Sequence, residues 1–340
     1  MVLVQNFTIG MICCIYCCIC WGSWANTQKL VEKKDWEYPL FYWDYIFGFF
    51  LTALLGALTL GSLGHQGMSF FANLAQADWS SIGFALLGGV VWNLANVFLT
   101  AAISTAGMSV GFPIGGGLGW IGGVLFNYIL IMAAGKLYPG NQTLLCIGLV
   151  LGILAILCCA WAYSKLSTSE KKTPLKGILL AIASGIGFMF FYGLVVKSID
   201  PQYVAGGTGK LTPYAGVFFF AVGALLTTPI FNGFAMSHPS AGGSKVTMKD
   251  YFKRGDAKTH LIGMLGGFIW MSGMVISFMA SGTGNPAVNY ALSNASPLIA
   301  MIWGVFVWKE FKKAPKGTNK IVAAMFIFFL AALIIITASN

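Results

Sequence analysis

A chain of 340 residues that is 57% hydrophobic and only 9% charged, with mean hydropathy +0.78, cannot coat a water-soluble surface of its size, for which about 25% charged residues are usual. Its apolar residues fall in runs of roughly 20, the length of a membrane-crossing helix, with the charge held between them. The net charge of +10 would suit a nucleic acid, but a membrane protein uses such an excess to orient itself, and no nucleic-acid partner is expected.

The runs predict an all-α integral membrane protein with ten transmembrane helices, at 7–25, 40–63, 80–103, 108–134, 142–164, 175–196, 211–236, 260–281, 286–308 and 319–337. Barrel strands are excluded because a run such as Ile321 to Thr337 does not alternate in and out. The first run has no basic leader and no Ala-x-Ala-like cleavage site, so it is read as a helix and not as a signal peptide. Its Cys13, Cys14, Cys17, Cys18 and Cys20, like Cys146, Cys158 and Cys159 in or near the fifth run, sit in apolar surroundings that do not support thiolate ligands. They are read as small hydrophobes, and no metal or cofactor is expected.

In hydrocarbon a polar side chain is costly unless it faces the protein interior or water, so each one inside a span is a candidate site. In the second span Asp44 is the carboxylate of interest. It is either an ion-coupling group that takes up and releases a proton or an interfacial residue paired with Lys29 or Lys33. The third span carries Trp92-Asn93-x-x-Asn96, two carboxamides three residues apart, suited to hydrogen-bonding a solute or to bonding neighbouring helices. In the fourth span Pro113 is followed by Gly115, Gly119 and Gly123, a small-residue ridge for close packing, or a kinked or broken helix that offers backbone to a solute, and then by Asn127. The ninth span has Asn289, Tyr290, Asn294, Ser296 and Pro297. Trp21, Trp92, Trp120 and Trp270 lie within spans, away from the interfaces where tryptophan collects, and either line a cavity or pack the bundle.

Leu87-Gly88-Gly89-Val90-Val91-Trp92 recurs 178 positions later as Leu265-Gly266-Gly267-Phe268-Ile269-Trp270, and Trp21 to Lys29 is echoed by Met189 to Lys197. This predicts two five-helix repeats, 1–166 and 175–340, joined by a cytoplasmic linker at 167–174. An odd number of spans inverts the second repeat. The odd-numbered loops carry 17 of the 20 Lys and Arg residues. By the positive-inside rule these loops are cytoplasmic and both termini lie outside a plasma or inner membrane.

Among the three histidines, the eight cysteines and the ten acidic residues no catalytic or metal-binding spacing emerges, and there is no P-loop, so neither an enzyme nor an ATP-driven pump is expected. The duplicated five-helix unit, with Trp-Lys-Glu closing the ninth span, resembles the drug/metabolite transporter superfamily. Trp21-Gly22-Ser23-Trp24, Asp44-Tyr45, Thr59-Leu60-Gly61, Trp92-Asn93-x-x-Asn96 and Ala106-Gly107-Met108-Ser109-Val110 are similar to its branch of ureide permeases and glucose- or rhamnose-type sugar uptake proteins. The resemblance implies secondary uptake of a small polar solute, a sugar or ureide-like metabolite, by alternating access and with a proton as co-substrate. The residues expected around the solute are Trp21, Trp92, Asn93, Asn96, Asn127, Trp270, Asn289 and Asn294, with Asp44 coupling. The expected partners are that solute, a proton and the lipid bilayer, with homodimer formation left open. The alternatives are an exporter of the same superfamily and a non-transporting receptor or accessory subunit.

Overall fold

A segment surrounded by hydrocarbon has no water to bond its backbone, so each apolar run closes its own N–H to C=O ladder as a helix. The computed structural model describes residues 1–31, 36–133, 135, 140–166, 174–200, 207–239, 243–280 and 292–339. Among them, nine helices are long and apolar enough to cross a bilayer. Helices α1 (Phe7–Ser23) and α2 (Ala25–Val31) together form the first span, and α3 (Tyr38–Leu58) with α4 (Leu60–Leu63) the second. After the short α5 (Phe70–Gln76) come α6 (Trp79–Ala106), α7 (Met108–Ala133) and α8 (Gln142–Leu166), then α9 (Pro174–Ser198) and α10 (Pro213–Ser237). The short α11 (Met248–Arg254) precedes α12 (Ala257–Met279). The expected ninth span begins outside the described residues and is followed from Leu292 to Val307 as a shorter apolar stretch. It contains α13 (Ser296–Ile302) and one π-helical turn, Trp303–Val307, and α14 (Thr318–Ala338) is the last helix.

Contacts at the helix ends sort the loops into two faces. On one face Glu37 accepts from the Ser244 amide at 3.2 Å, Lys29 pairs with Glu310, and the Cys159 thiol donates to the Ser109 carbonyl at 3.3 Å. On the other, Val2 N–H meets the Leu60 carbonyl at 2.7 Å, Asp78 that of Gly209 at 2.8 Å, and Asn141 that of Ser339 at 2.6 Å. The lysine-rich loops expected to share a side therefore do so wherever they are described.

The helices pair in a reciprocal pattern. The first span packs on α12 and α13, while α9 packs on α6 and α7; α3 packs on α12, while α10 packs on α6; α3 meets α10, and α8 meets α14. Glycine sets two of these crossings. A methyl on Gly267 of α12 would lie 1.9 Å from the Tyr45 carbonyl oxygen of α3, and one on Gly89 of α6 would lie 2.0 Å from that of Phe220 in α10. From the other side, Gly48 would meet the Met264 oxygen at 2.0 Å and Gly223 that of Leu86 at 2.1 Å. The recurrent Leu-Gly-Gly element is thus the point where backbone touches backbone.

Two expectations about helix breaks come out differently from each other. α7 runs unbroken through Pro113. Proline leaves the carbonyl four residues earlier without its helical donor, and that carbonyl, of Ser109, is the one that takes the Cys159 thiol. The interruption lies instead in the ninth span, at Ala295, with Pro297 in the first turn of α13, where proline is tolerated.

Because backbone leaves no room at these crossings, Gly267→Ala and Gly89→Ala are expected to destabilise the folded protein by about 1–3 kcal/mol or more. Gly83→Ala, where nothing lies within 4 Å, serves as the control. Thermal unfolding of the detergent-purified variants should show a midpoint several degrees lower for the first two only.

Candidate functional site

Where the first span, α6, α7, α9, α12 and the start of α13 converge, five indole rings and two carboxamides enclose a cavity. Trp92 and Trp270 are in contact at 4.6 Å between ring centroids, and Trp21 stacks on Trp270 at 5.0 Å while its indole N–H donates to the Trp270 carbonyl at 3.1 Å. Trp24, Trp120, Phe112, Phe188 and Phe191 complete the aromatic wall, and Asn96, Asn294 and Ser296 supply polar edges. Among the described residues no charged side chain lines it. Its open volume is ≈ 50 Å³, so the rings stand close together.

The polar atoms divide into those already engaged and those not. Asn93 is fully committed: it accepts from the Tyr42 hydroxyl at 2.7 Å and donates to the Ala224 carbonyl at 2.9 Å and to Thr227 and Thr228. It ties α6 to α3 and α10 and does not line the cavity. Asn96 donates to Tyr42 at 3.3 Å, but its buried Oδ1 has no protein partner. The indole N–H groups of Trp24 and Trp120 are buried without partners as well. Buried polar atoms are nearly always hydrogen-bonded, so three unpartnered ones on residues of one cavity mark it as a place for a polar guest.

Asn294 and Ser296 reach the cavity from either side of the helix interruption at Ala295. Gly119 also lines it, and a methyl on Gly119 would lie 2.6 Å from the Phe188 Cβ of α9, while one on Gly115 would meet the Ala181 carbonyl at 3.2 Å. Gly123 is buried on the same helix, and Pro297 packs near Gly116. The Asn127 side chain and Asn289 lie outside the described residues.

Asp44 lies apart from this cavity, toward the lysine-rich face, with its side chain 2% exposed. The Tyr251 hydroxyl donates to its Oδ1 at 2.5 Å, and His260 Nδ1 stands 2.8 Å from the same oxygen; Oδ2 is buried and unpartnered. The Trp36 ring stands edge-on to His260 at 5.4 Å. Burial first, and the neighbouring carboxyl second, push the Tyr251 hydroxyl above the ordinary phenol range. Lys29 is not the partner of Asp44. It pairs with Glu310, whose carboxylate also accepts from the backbone N–H of Met108 (2.9 Å) and Ser109 (2.7 Å) and from the Ser109 hydroxyl. A carboxylate on the first amides of α7 complements the positive end of that helix. Trp308 donates to Asn26 at 2.7 Å and Trp303 to Ser23 at 2.9 Å, so the ends of the first and ninth spans and the start of α7 are latched together.

The chain matches the family model for ureide permeases over residues 41–173 and 164–339. It belongs to the ureide permease family. Ureide permease 1 of Arabidopsis thaliana is 24% identical over 403 aligned positions, covering 100% of this chain and 99% of that protein. Ureide permease 2 of the same plant is 23% identical with equal coverage, and a Listeria innocua protein named for sugar uptake is 25% identical over 82% of this chain and 86% of its own. Family membership makes the chain a multi-pass membrane transporter of small polar solutes, and its relatives are permeases, not enzymes.

Of the residues expected around the solute, the structure brings Trp21, Trp92, Asn96, Trp270 and Asn294 together on one cavity. Sequence reasoning passed over Trp24, although Trp21 and Trp24 are three residues apart and share a helical face. The expected site also did not include His260 and Glu310, whose partners lie 216 and 281 positions away.

Glu310→Gln removes the charge that holds both Lys29 and the first turn of α7, worth about 1.5–3 kcal/mol for a bond to a charged group. Hydrogen–deuterium exchange should rise roughly tenfold or more across 107–112 and 308–312, with 213–237 unchanged.

Proposed function

We propose that this permease is a secondary active transporter that takes up a small uncharged polar solute, a sugar or ureide-like metabolite, by alternating access between inverted repeats at 1–166 and 175–340. The carrying observation is the cavity itself. It is neutral, aromatic, lined from both halves, and centred on Trp92 and Trp270, the two residues that correspond in the repeated Leu-Gly-Gly element. Corresponding residues meet in this way close to a two-fold axis, and the reciprocal helix pairing supports the same reading. Ring faces give a flat or ring-shaped solute affinity without a fixed bonding pattern, and the unpartnered atoms of Asn96, Trp24 and Trp120 give it direction. The names of the relatives, ureide permeases and a sugar uptake protein, bracket the solute class.

Coupling to a proton is assigned to Asp44, with His260 and Tyr251 as the groups that share its oxygen. The assignment rests on burial: Asp44 shares one oxygen with the Tyr251 hydroxyl and the His260 ring and leaves the other unpartnered, so it has a free acceptor for a proton, and motion of α12 against α3 changes what surrounds it. The lysine-rich face is assigned to the cytoplasm, which leaves both termini outside the cell membrane. The predominance of aromatic rings over amides in the cavity favours one alternative, export of an aromatic metabolite.

In proteoliposomes, Trp92→Ala and Trp270→Ala are each expected to raise KM for the transported solute about tenfold, equivalent to about 1.4 kcal/mol. Asp44→Asn should abolish accumulation driven by a pH gradient while leaving solute exchange at equal pH. Accumulation unchanged in Asp44→Asn would remove the coupling role, and transport confined to inside-out vesicles would reverse the direction.

A further inference from the structure

The transport cavity does not account for a second concavity on the lysine-rich face. It lies between the end of the ninth span and the start of α14, and by the measure that gives ≈ 50 Å³ for the central cavity it holds ≈ 720 Å³. Its walls are apolar, formed by Val305, Phe306, Val322 and Phe326, and its rim carries Lys309, Lys312 and Lys316. Phe306 is 64% exposed and adjoins the exposed Val307 and Ile327, so the apolar wall runs on without interruption into the surface that faces lipid.

The backbone explains how the lysines come to stand over this wall. The ninth span ends in a π-helical turn, and Lys309 then takes φ +52°, which among the described non-glycine residues is the one positive value. The chain turns back there, and Lys309, Lys312 and Lys316 follow the turn at three- and four-residue intervals. None of the three is in an ion pair among the described residues. The nearest carboxylate in sequence, Glu310, is turned inward to Lys29 and the α7 amides. Three uncompensated ammonium groups above an apolar slot, at the level where spans end, complement an anion that is covalently joined to hydrocarbon.

We propose that this groove binds an acidic phospholipid from the leaflet on the lysine-rich side, with its anionic headgroup on Lys309, Lys312 and Lys316 and an acyl chain along Phe306 and Phe326. A soluble anion would leave the apolar wall uncovered. A zwitterionic lipid would bring its own cation against the three lysines.

Native mass spectrometry of the full-length protein, equilibrated with equimolar phosphatidylglycerol and phosphatidylcholine of the same chains, tests the assignment. The wild type should retain phosphatidylglycerol over phosphatidylcholine by about fivefold or more, and millimolar inorganic phosphate should not displace it. Lys309→Gln/Lys312→Gln/Lys316→Gln should bring the two lipids to near parity, while Lys245→Gln/Lys249→Gln/Lys253→Gln on the same face retains the wild-type preference. Equal retention of both lipids by the wild type, displacement by phosphate, or an equal effect of the two triple variants would each overturn the site. Should the first triple variant fail to fold, Lys312→Gln alone is expected to halve the preference or better, and an unchanged preference there counts against it.

Discussion

Helices in hydrocarbon gain little by being apolar, since lipid tails are as good a neighbour as another leucine, so what holds a bundle is how closely backbones approach. In this chain that approach is made by glycine facing glycine-containing helix at two equivalent crossings, α3 with α12 and α10 with α6. Everything at the centre depends on it. Trp92 and Trp270 each follow the contacting glycine by three residues, nearly one helical turn. Once the crossings are fixed, the two indoles are carried inward to meet at 4.6 Å, with Phe49 stacked on Trp92 at 4.5 Å. A wider residue at the crossing would push apart the same helices that bring the rings together, so the packing of the bundle and the shape of the cavity rest on one set of atoms.

Polar side chains in the interior follow a second constraint, that each must find a partner or remain costly. The chain satisfies most of them by using amides as rivets. Asn93 joins α6 to α3 and α10, and Asn232 donates to the Pro39 carbonyl at 2.8 Å to join α10 to α3. Against this background the half-used Asn96 and the idle indoles of Trp24 and Trp120 stand out because all three belong to one cavity. Outside the cavity the amides serve to join helices, although Asn232 leaves its own Oδ1 unpartnered; within it three unpartnered polar atoms share one space.

The run lengths and the lysine distribution were sufficient for nine of the ten expected spans among the described residues and for which described loops share a face, because both follow from solvent and need no partner. The repeated Leu-Gly-Gly-x-x-Trp element also carried its meaning openly: glycine for contact and tryptophan for the centre. What the sequence could not separate was Asn93 from Asn96. Three residues apart puts the two amides about 60° from each other on one broad helical face, so the neighbours alone decide that Asn93 bonds α3 and α10 while Asn96 lines the cavity. The same holds for Pro113 and Pro297. Both predict a disturbed helix, but a thiol from α8 supplies the Ser109 carbonyl in one case, and in the other the chain is interrupted at Ala295. The partners of Asp44 and Glu310 lie more than 200 positions away, beyond the reach of any local pattern.

In the proposed inverted repeat the two crossings are equivalent in backbone but not in chemistry, and the difference bears on how a cycle is driven. The contacts that match Gly48 with Gly223 and Met264 with Leu86 place Phe219 where Asp44 stands and Ile82 where His260 stands. Phe219 and Ile82 pack around an apolar cluster that includes Phe70 and Ala85. At this crossing the matched positions are therefore apolar. The other crossing carries the Asp44–His260–Tyr251 cluster, and the Glu310 latch stands on the same face. Two equal ends would respond alike to a proton and give no preferred order of opening. Under the proposed coupling, the Asp44 cluster at the α3–α12 crossing is the element a proton would act on, and the matched positions of the α10–α6 crossing, Phe219 and Ile82, have no titratable side chain. A frame symmetric in packing and asymmetric in charge is what the proposed tie between conformational exchange and a gradient requires.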